Sequence, residues 1–225
     1  MLGPDQIIAC PKCSALAKHF TMMSGNTFGA VLWTDGKFEA HMMPQLPQIV
    51  KCTACHEYYW LSQAKEIGSF PWEGRTKNPK YPDSWRNAPK IKALSASEYL
   101  EALETNVAAD ENQLRYLRVS AWHAANDQYR DEQCRKGISE DPRLAPSFSA
   151  QAKENLQKLY TAIVPDNDAD VIMKAEAARE LGLFDDTLKL LEYDFSEKAH
   201  CHIAAFISEL ARKSIGMVRI VPEVE

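Results

Sequence analysis

Several things are missing from this chain. No stretch approaches the ~20 continuous apolar residues of a membrane-spanning helix, so no membrane association is expected. Residues 1–9 have neither the basic head nor the apolar core of a secretion signal, and the expected location is the cytoplasm. Charge is not extreme: the 225 residues carry a net −5, with 25% charged and 45% hydrophobic side chains. That balance excludes a disordered tail, a collagen and a disulfide-dense miniprotein. Glycine is sparse at nine residues, and none belongs to a phosphate-cradling G-x-x-x-x-G-K-[ST] or G-x-G-x-x-G pattern. The run from Ser24 to Gly29 has no lysine at its end and reads as a turn. H-E-x-x-H, G-x-S-x-G and an EF-hand loop are also lacking; Tyr58, Tyr59 and Trp60 follow His56 and Glu57. No carboxylate pair stands out as catalytic, and no enzymatic activity is expected.

What is present divides the chain in three. Residues 1–68 hold five of the glycines and four of the cysteines, with five basic and five acidic side chains. Residues 69–96 hold Pro71, Pro79, Pro82 and Pro89, with six basic residues against two acidic ones. Proline fixes φ and removes a donor, so this stretch reads as an extended basic connector. Residues 97–225 carry 15 basic and 24 acidic side chains, a net −9. The fold class expected is α+β: a small β-rich domain followed by an all-α domain of antiparallel helical hairpins.

Strand patterns lie in the first segment. Val31 to Trp33 and Phe38 to Met42 flank Asp35 and Gly36, a pair suited to a two-residue type I′ turn. Residues 48–51 and 58–61 are short strand candidates, and residues 62–67 a short helix. In the last segment, Ser95 and Glu98 form a capping-box pattern ahead of Leu100, Leu103 and Val107. Asp110 caps a second helix with Leu114, Leu117 and Ala121 inward. Leu156, Leu159, Tyr160 and Ile163 repeat at helical spacing, as do Ile203, Phe206, Ile207 and Leu210. Helices over 168–181 and 186–193 lie between them, and the longest gap runs from Cys134 to Pro146.

Cys10 and Cys13 form one C-x-x-C pair and Cys52 and Cys55 another, with 38 residues between the pairs. Each such turn can aim two sulfurs at one ion, and four soft ligands complete the tetrahedron zinc prefers. The same ligand set could hold iron in a rubredoxin-like site, which ranks behind zinc. Four protein ligands leave no open position, so the expected Zn2+ is structural. Residues 8–62 resemble a zinc ribbon, with two such knuckles on a small antiparallel sheet. Glycine often follows the second cysteine of a knuckle; here Ser14 and His56 follow. His56 could replace or hydrogen-bond a ligand, though adjacent residues rarely both ligate. His19 and His41 read as ordinary sheet residues, and Cys134 and Cys201 as plain thiols. His200 and His202 on a helix would point about 200° apart, which argues against a second metal site.

From Ala175 to Glu192 the chain resembles the middle of a tetratricopeptide repeat. Gly182, Phe184, Thr187 and Leu191 stand at the matching offsets. Thr187 replaces the usual alanine, Ala178 replaces an aromatic, and no second copy follows at a 34-residue period. Taken whole, the chain resembles uncharacterised bacterial proteins that join a CPxC…CxxC zinc ribbon to a tetratricopeptide-like helical region. The run from Ser24 to Gly29, Tyr59 to Leu61, and Trp122 to Asp127 carry that resemblance. It implies an architecture and no activity.

The function expected is a non-enzymatic zinc-binding interaction or scaffold protein. Its acidic helical domain would dock a protein with a basic surface. The alternative is nucleic-acid binding through the connector. There Arg75, Lys77, Lys80, Arg86, Lys90 and Lys92 alternate with Phe70, Trp72, Tyr81 and Trp85. Against it, the ribbon is neutral and the whole chain acidic, so the connector is expected to lie on the acidic helices, aromatics inward. A redox role for the C-x-x-C pairs ranks last, because such dithiols normally come singly, beside a βαβ pattern.

Overall fold

The computed structural model describes residues 3–70, 81–136 and 145–223, with the backbone alone over 131–136. Antiparallel strands come first and helices follow, an α+β layout as expected. Trp72, Arg75, Lys77, Lys80, the Cys134 thiol and residues 137–144 fall outside the described residues. No described helix is long and apolar enough to cross a membrane.

The chain separates into two compact units. The strand unit comprises Met1–Ala30 and Glu39–Leu94; the helical unit comprises Val31–Phe38 and Ser95–Glu225. This differs from the division drawn on composition in two ways. Residues 31–38 belong with the helices, and the described part of the connector belongs with the strands.

In the strand unit, β1 (Asp5–Ala9) pairs antiparallel with β2 (Leu16–His19) on one side and β7 (Lys65–Phe70) on the other. Its apolar residues Ile7, Ile8 and Ala9 are all buried. A second ladder joins β5 (Ile49–Lys51) to β6 (Tyr58–Trp60), with Val50 opposite Tyr59. The helix expected over 62–67 is a single 3-10 turn, Leu61–Gln63, after which the chain extends into β7. Pairing with β1 satisfies that backbone and overrides local helix preference. The connector also contains a short helix, α1 (Asp83–Asn87), between Pro82 and Pro89, where fully extended chain was expected. Proline is tolerated at a helix start, so Pro82 opens α1 rather than preventing it.

The described part of the connector is strapped to the strands. Lys18 N donates to Pro89 O at 2.8 Å, and Ile91 N to Lys18 O at 2.9 Å. Trp85 lies against Gly68, where an added Cβ would fall 2.4 Å from the indole, so no side chain fits there. Phe70 is buried and meets Tyr81 edge-on at 5.2 Å. These aromatics do point inward, but the surface they cover is β2 and β7.

In the helical unit, α2 (Ala96–Glu104), α3 (Glu111–Lys136), α4 (Ala150–Ala162), α5 (Asp168–Glu180), α6 (Phe184–Leu190) and α7 (Lys198–Arg212) follow in order. Both expected N-caps form. Ser95 Oγ accepts from Glu98 N while Ser95 N donates to the Glu98 carboxylate at 2.9 Å. Asp110 Oδ1 accepts from Gln113 N at 2.8 Å. Trp122, Leu156, Leu159, Ile163 and Ala177 make one apolar core.

The hairpin of β3 (Val31–Leu32) and β4 (Phe38–Glu39) is present, with a different turn from the one expected. Gly36 has φ +83 and Asp35 does not share the left-handed region. Gly36 N donates to Trp33 O and Trp33 N to Lys37 O, both at 2.9 Å. This is a three-residue loop closed by a left-handed glycine. Thr34 N donates to Arg219 O and Val221 N to Leu32 O, each at 2.8 Å, so the C-terminal segment meets the hairpin in an isolated antiparallel bridge between Trp33 and Ile220.

Candidate metal centre

Both cysteine pairs sit at the tips of hairpins. Cys10 to Cys13 links β1 to β2, and Cys52 to Cys55 links β5 to β6. The two turns have the same wiring. Ser14 N donates to Cys10 O at 2.9 Å and His56 N to Cys52 O at 3.0 Å. Cys10 N donates to Ala15 O and Cys52 N to Glu57 O, both at 2.9 Å. Ser14 and His56, which stand where glycine is usual, have φ 60 and 61. The turn therefore takes its left-handed residue without glycine, and the sequence departure leaves the knuckle intact.

The four sulfurs converge. All lie within 4.8 Å of one another, with Cys10 Sγ 3.9 Å from Cys55 Sγ and Cys13 Sγ 3.7 Å from Cys52 Sγ. A disulfide would need ~2.05 Å. Four thiolates at ~2.3 Å from a central ion stand ~3.8 Å apart at tetrahedral angles. The observed spacing matches that of a tetrathiolate cage, so these residues could hold a metal ion.

The surroundings favour thiolate at Cys52 and oppose it at Cys10 and Cys55. Burial raises the Cys52 thiol, but the Cys55 and Ala54 amides and neighbouring thiols outweigh it and bring it down to about 7. The Ala54 amide lies 3.4 Å from Cys52 Sγ. At Cys55 the Glu57 amide pulls down, yet burial and the thiols of Cys13, Cys52 and Cys10 push it up to about 12. Burial raises Cys10. Four thiols in one place cannot all ionise unaided; a divalent cation at the centre removes that conflict. Val50 and Tyr59 are buried beside Cys10 and Cys52, with Ala15, Leu61, Ala64 and Ile91 around them, giving the site a dry inner wall.

The other sequence candidates do not join this site. His56 is exposed and lies outside the sulfur cluster. His200 Nδ1 is 3.2 Å from Asp168 Oδ2, while His202 Nε2 is 2.9 Å from Pro222 O, so the two rings serve different partners. The run from Ser24 to Gly29 is an exposed turn in which Phe28 N donates to Asn26 Oδ1. Among the described residues, the cysteine quartet is the one group of three or more His, Cys, Asp or Glu placed to share an ion.

A second polar cluster was not anticipated from sequence. In the helical unit Asp35, Asn126, Arg130, Glu176, Arg179 and Glu180 are all buried. Asp35 pairs with Arg130, and Asn126 Nδ2 donates to Asp35 Oδ2 and to Glu180 Oε1, each at 3.0 Å. Trp122 Nε1 donates to Glu180 Oε2 at 2.7 Å. Arg179 Nε donates to Glu176 Oε2 at 2.7 Å, and Arg179 also bonds the Ile215 carbonyl. Burial, then the neighbouring Glu176 and Asp35 carboxylates, push Glu180 well above the usual carboxylate value. Burial also pushes Asp35 up, but His123, Arg130 and the Asn126 amide outweigh it and hold it below its ordinary value. Perturbed carboxyls often mark active sites. Here no side chain of the cluster is more than 8% exposed, so the cluster holds the β3–β4 hairpin to α3 and α5 rather than meeting solute. One signal was legible: Trp122, Asn126 and Arg130 recur every four residues on one face of α3, a polar stripe in a helix that must bury something.

No protein-family model matches the chain, and no curated protein or solved structure is significantly similar to it.

Proposed function

We propose that this chain is a non-enzymatic zinc-binding scaffold protein. A zinc ribbon staples the strand unit, and the helical unit docks a protein partner. The observation that carries the zinc reading is the sulfur cage, four thiols spaced as a tetrahedral ion requires. Zinc is preferred to iron because a closed tetrathiolate needs no redox chemistry to serve as a staple. With four protein ligands the ion keeps no position for substrate, which favours a structural role.

The docking reading is supported by the α5–α6 pair, which we read as a tetratricopeptide-like hairpin. Gly182 joins the two helices at φ +81. Thr187 is fully buried at the position where a small residue is expected, its Oγ1 donating to Ala175 O at 3.1 Å. Ala175, Ala177 and Ala178 have 0% exposure, which lets the helices approach closely. The acid surplus of residues 97–225 selects a partner with a basic surface.

The test has two parts. Metal analysis of protein purified without added metal should find one zinc per chain; iron or an empty site contradicts the zinc reading. Affinity capture from the native lysate, with and without nuclease, should return a protein that survives nuclease. Partners that vanish with nuclease would move the function to nucleic acid.

A further inference from the structure

Between the end of α2 and the start of α3 the chain leaves a cleft of about 280 Å3. Ala102 and Leu117, both at 0% exposure, lie at its base, and Leu103 and Leu114 line it half-buried. Asn106, Asp110 and Glu111 line it as exposed residues. Both lips are fixed by hydrogen bonds. Thr105 Oγ1 donates to Ala102 O at 2.8 Å, closing α2, and Asn106 then turns the chain at φ 53. On the other side Ala109 N donates to Gln113 Oε1 and Gln113 N to Asp110 Oδ1, both at 2.8 Å, opening α3. The cleft therefore exists before any ligand arrives, and binding does not have to order it.

Size and charge narrow the occupant. Drug-sized ligands fill pockets of roughly 300–1,000 Å3, so this space suits one large aliphatic side chain. Its base is apolar, while Asp110 and Glu111 at its edge and Glu104, at the end of α2, are acidic and exposed. Arg115, one turn further along α3, is paired with Asp170 of α5. We propose that this cleft is where the helical unit docks its partner. It takes a single leucine-like side chain from a basic segment, whose flanking lysines or arginines face Glu104, Asp110 and Glu111. The proposal rests on the docking reading given above.

A fluorescein-labelled peptide with one leucine between two pairs of lysines is titrated into the full-length, metal-loaded protein and followed by anisotropy. Saturable one-to-one binding is expected. Replacing the peptide leucine with serine should weaken it about tenfold, the effect of losing a buried anchor. Glu104→Lys with Glu111→Lys should weaken it by a similar factor, and Leu103→Lys should do so by placing a cation in the wall. Should Leu103→Lys disturb folding, the charge-reversal variant decides alone, because both of its positions are exposed. The proposal is overturned if the leucine peptide does not bind, if the serine peptide binds as tightly, or if charge reversal changes nothing. A lysate partner retained by the charge-reversal variant would overturn the cleft while leaving the docking reading intact. Capture of no partner by the native chain would overturn that reading itself.

Discussion

The strand unit gathers four cysteines at the tips of two hairpins. The helical unit gathers two arginines, three carboxyls and an amide beneath a third hairpin. Both arrangements tie together residues far apart in sequence, the first burying Cys10 and Cys52 and the second burying all six of its side chains. They differ in what neutralises the charge. Among the described residues no ion pair reaches the four sulfurs, which could take their counter-charge from a bound ion. The helical unit supplies its own cations, Arg130 and Arg179, and leaves Glu180 with its carboxyl pushed toward the protonated form. The first unit should depend on a metal, and the second on particular side chains and on pH.

The largest effect should come from Cys52→Ser. It removes a ligand and with it a binding free energy of about 10 kcal/mol or more, by zinc-finger precedent. The strand unit is expected to lose metal and ordered structure, read by metal analysis and by amide exchange in β1, β5 and β6. Full metal content with unchanged exchange would break the comparison on the strand side.

Next in size is Asp35→Ala. Arg130 would lose its buried carboxylate and keep only the partly exposed Asp127 at 2.6 Å, so the cost should approach but not exceed the about 3–5 kcal/mol of breaking a buried pair. The loss should appear in the helical unit, although Asp35 lies between the two cysteine pairs in sequence, and metal content should not change. Thermal melting with parallel zinc analysis checks both halves of that statement. By the same reasoning, a fragment of residues 95–225 lacks the hairpin its helices are built around and should not fold cooperatively.

The pH dependence sharpens the contrast. In the fold Glu180 holds its proton above its ordinary value of 4.5, so between that value and its raised one the native state binds more protons than the unfolded chain. Stability then falls as pH rises through that window. Asp35 acts in the opposite sense: its contribution is present above its ordinary 3.8 and is lost as pH falls through its lowered value. Glu180→Gln should flatten the decline in melting temperature as pH rises above 4.5. An unchanged slope would remove Glu180 from the explanation.

The smallest effects concern backbone. Gly182→Ala places a Cβ at φ +81 and should destabilise by about 1 kcal/mol. Ser14→Gly relieves a non-glycine residue at φ 60 and should stabilise the metal-loaded protein by up to about 1 kcal/mol. Denaturant midpoints measure both.

How much of this was legible depended on distance along the chain. The C-x-x-C pairs announce themselves because each pair closes within one turn, and the caps at Ser95 and Asp110 because their partners lie three residues on. The strands β1 and β2 were not anticipated; they are short, and their pairing with one another and with β7 is what orders them. The hairpin over 31–38 was readable, but not the unit it joins. Its allegiance is decided by Asp35 meeting Arg130, 95 residues away. Nothing in the local sequence marks the arginine and glutamates of α5 as buried. They are buried because the hairpin and the C-terminal segment cover them: Arg179 bonds both the Ile215 carbonyl and Thr34 Oγ1. Composition placed the connector's positive charge beside the acidic helices. Lys18 bonding to Pro89 and Trp85 covering Gly68 place the described part of the connector on the strands.

The most direct test is the metal content of the native protein and of Cys52→Ser, measured by mass spectrometry on the intact folded chain. One zinc per native chain and none in the variant is the predicted result. A native chain carrying four free thiols and no metal, or a variant that keeps its zinc, would contradict the account.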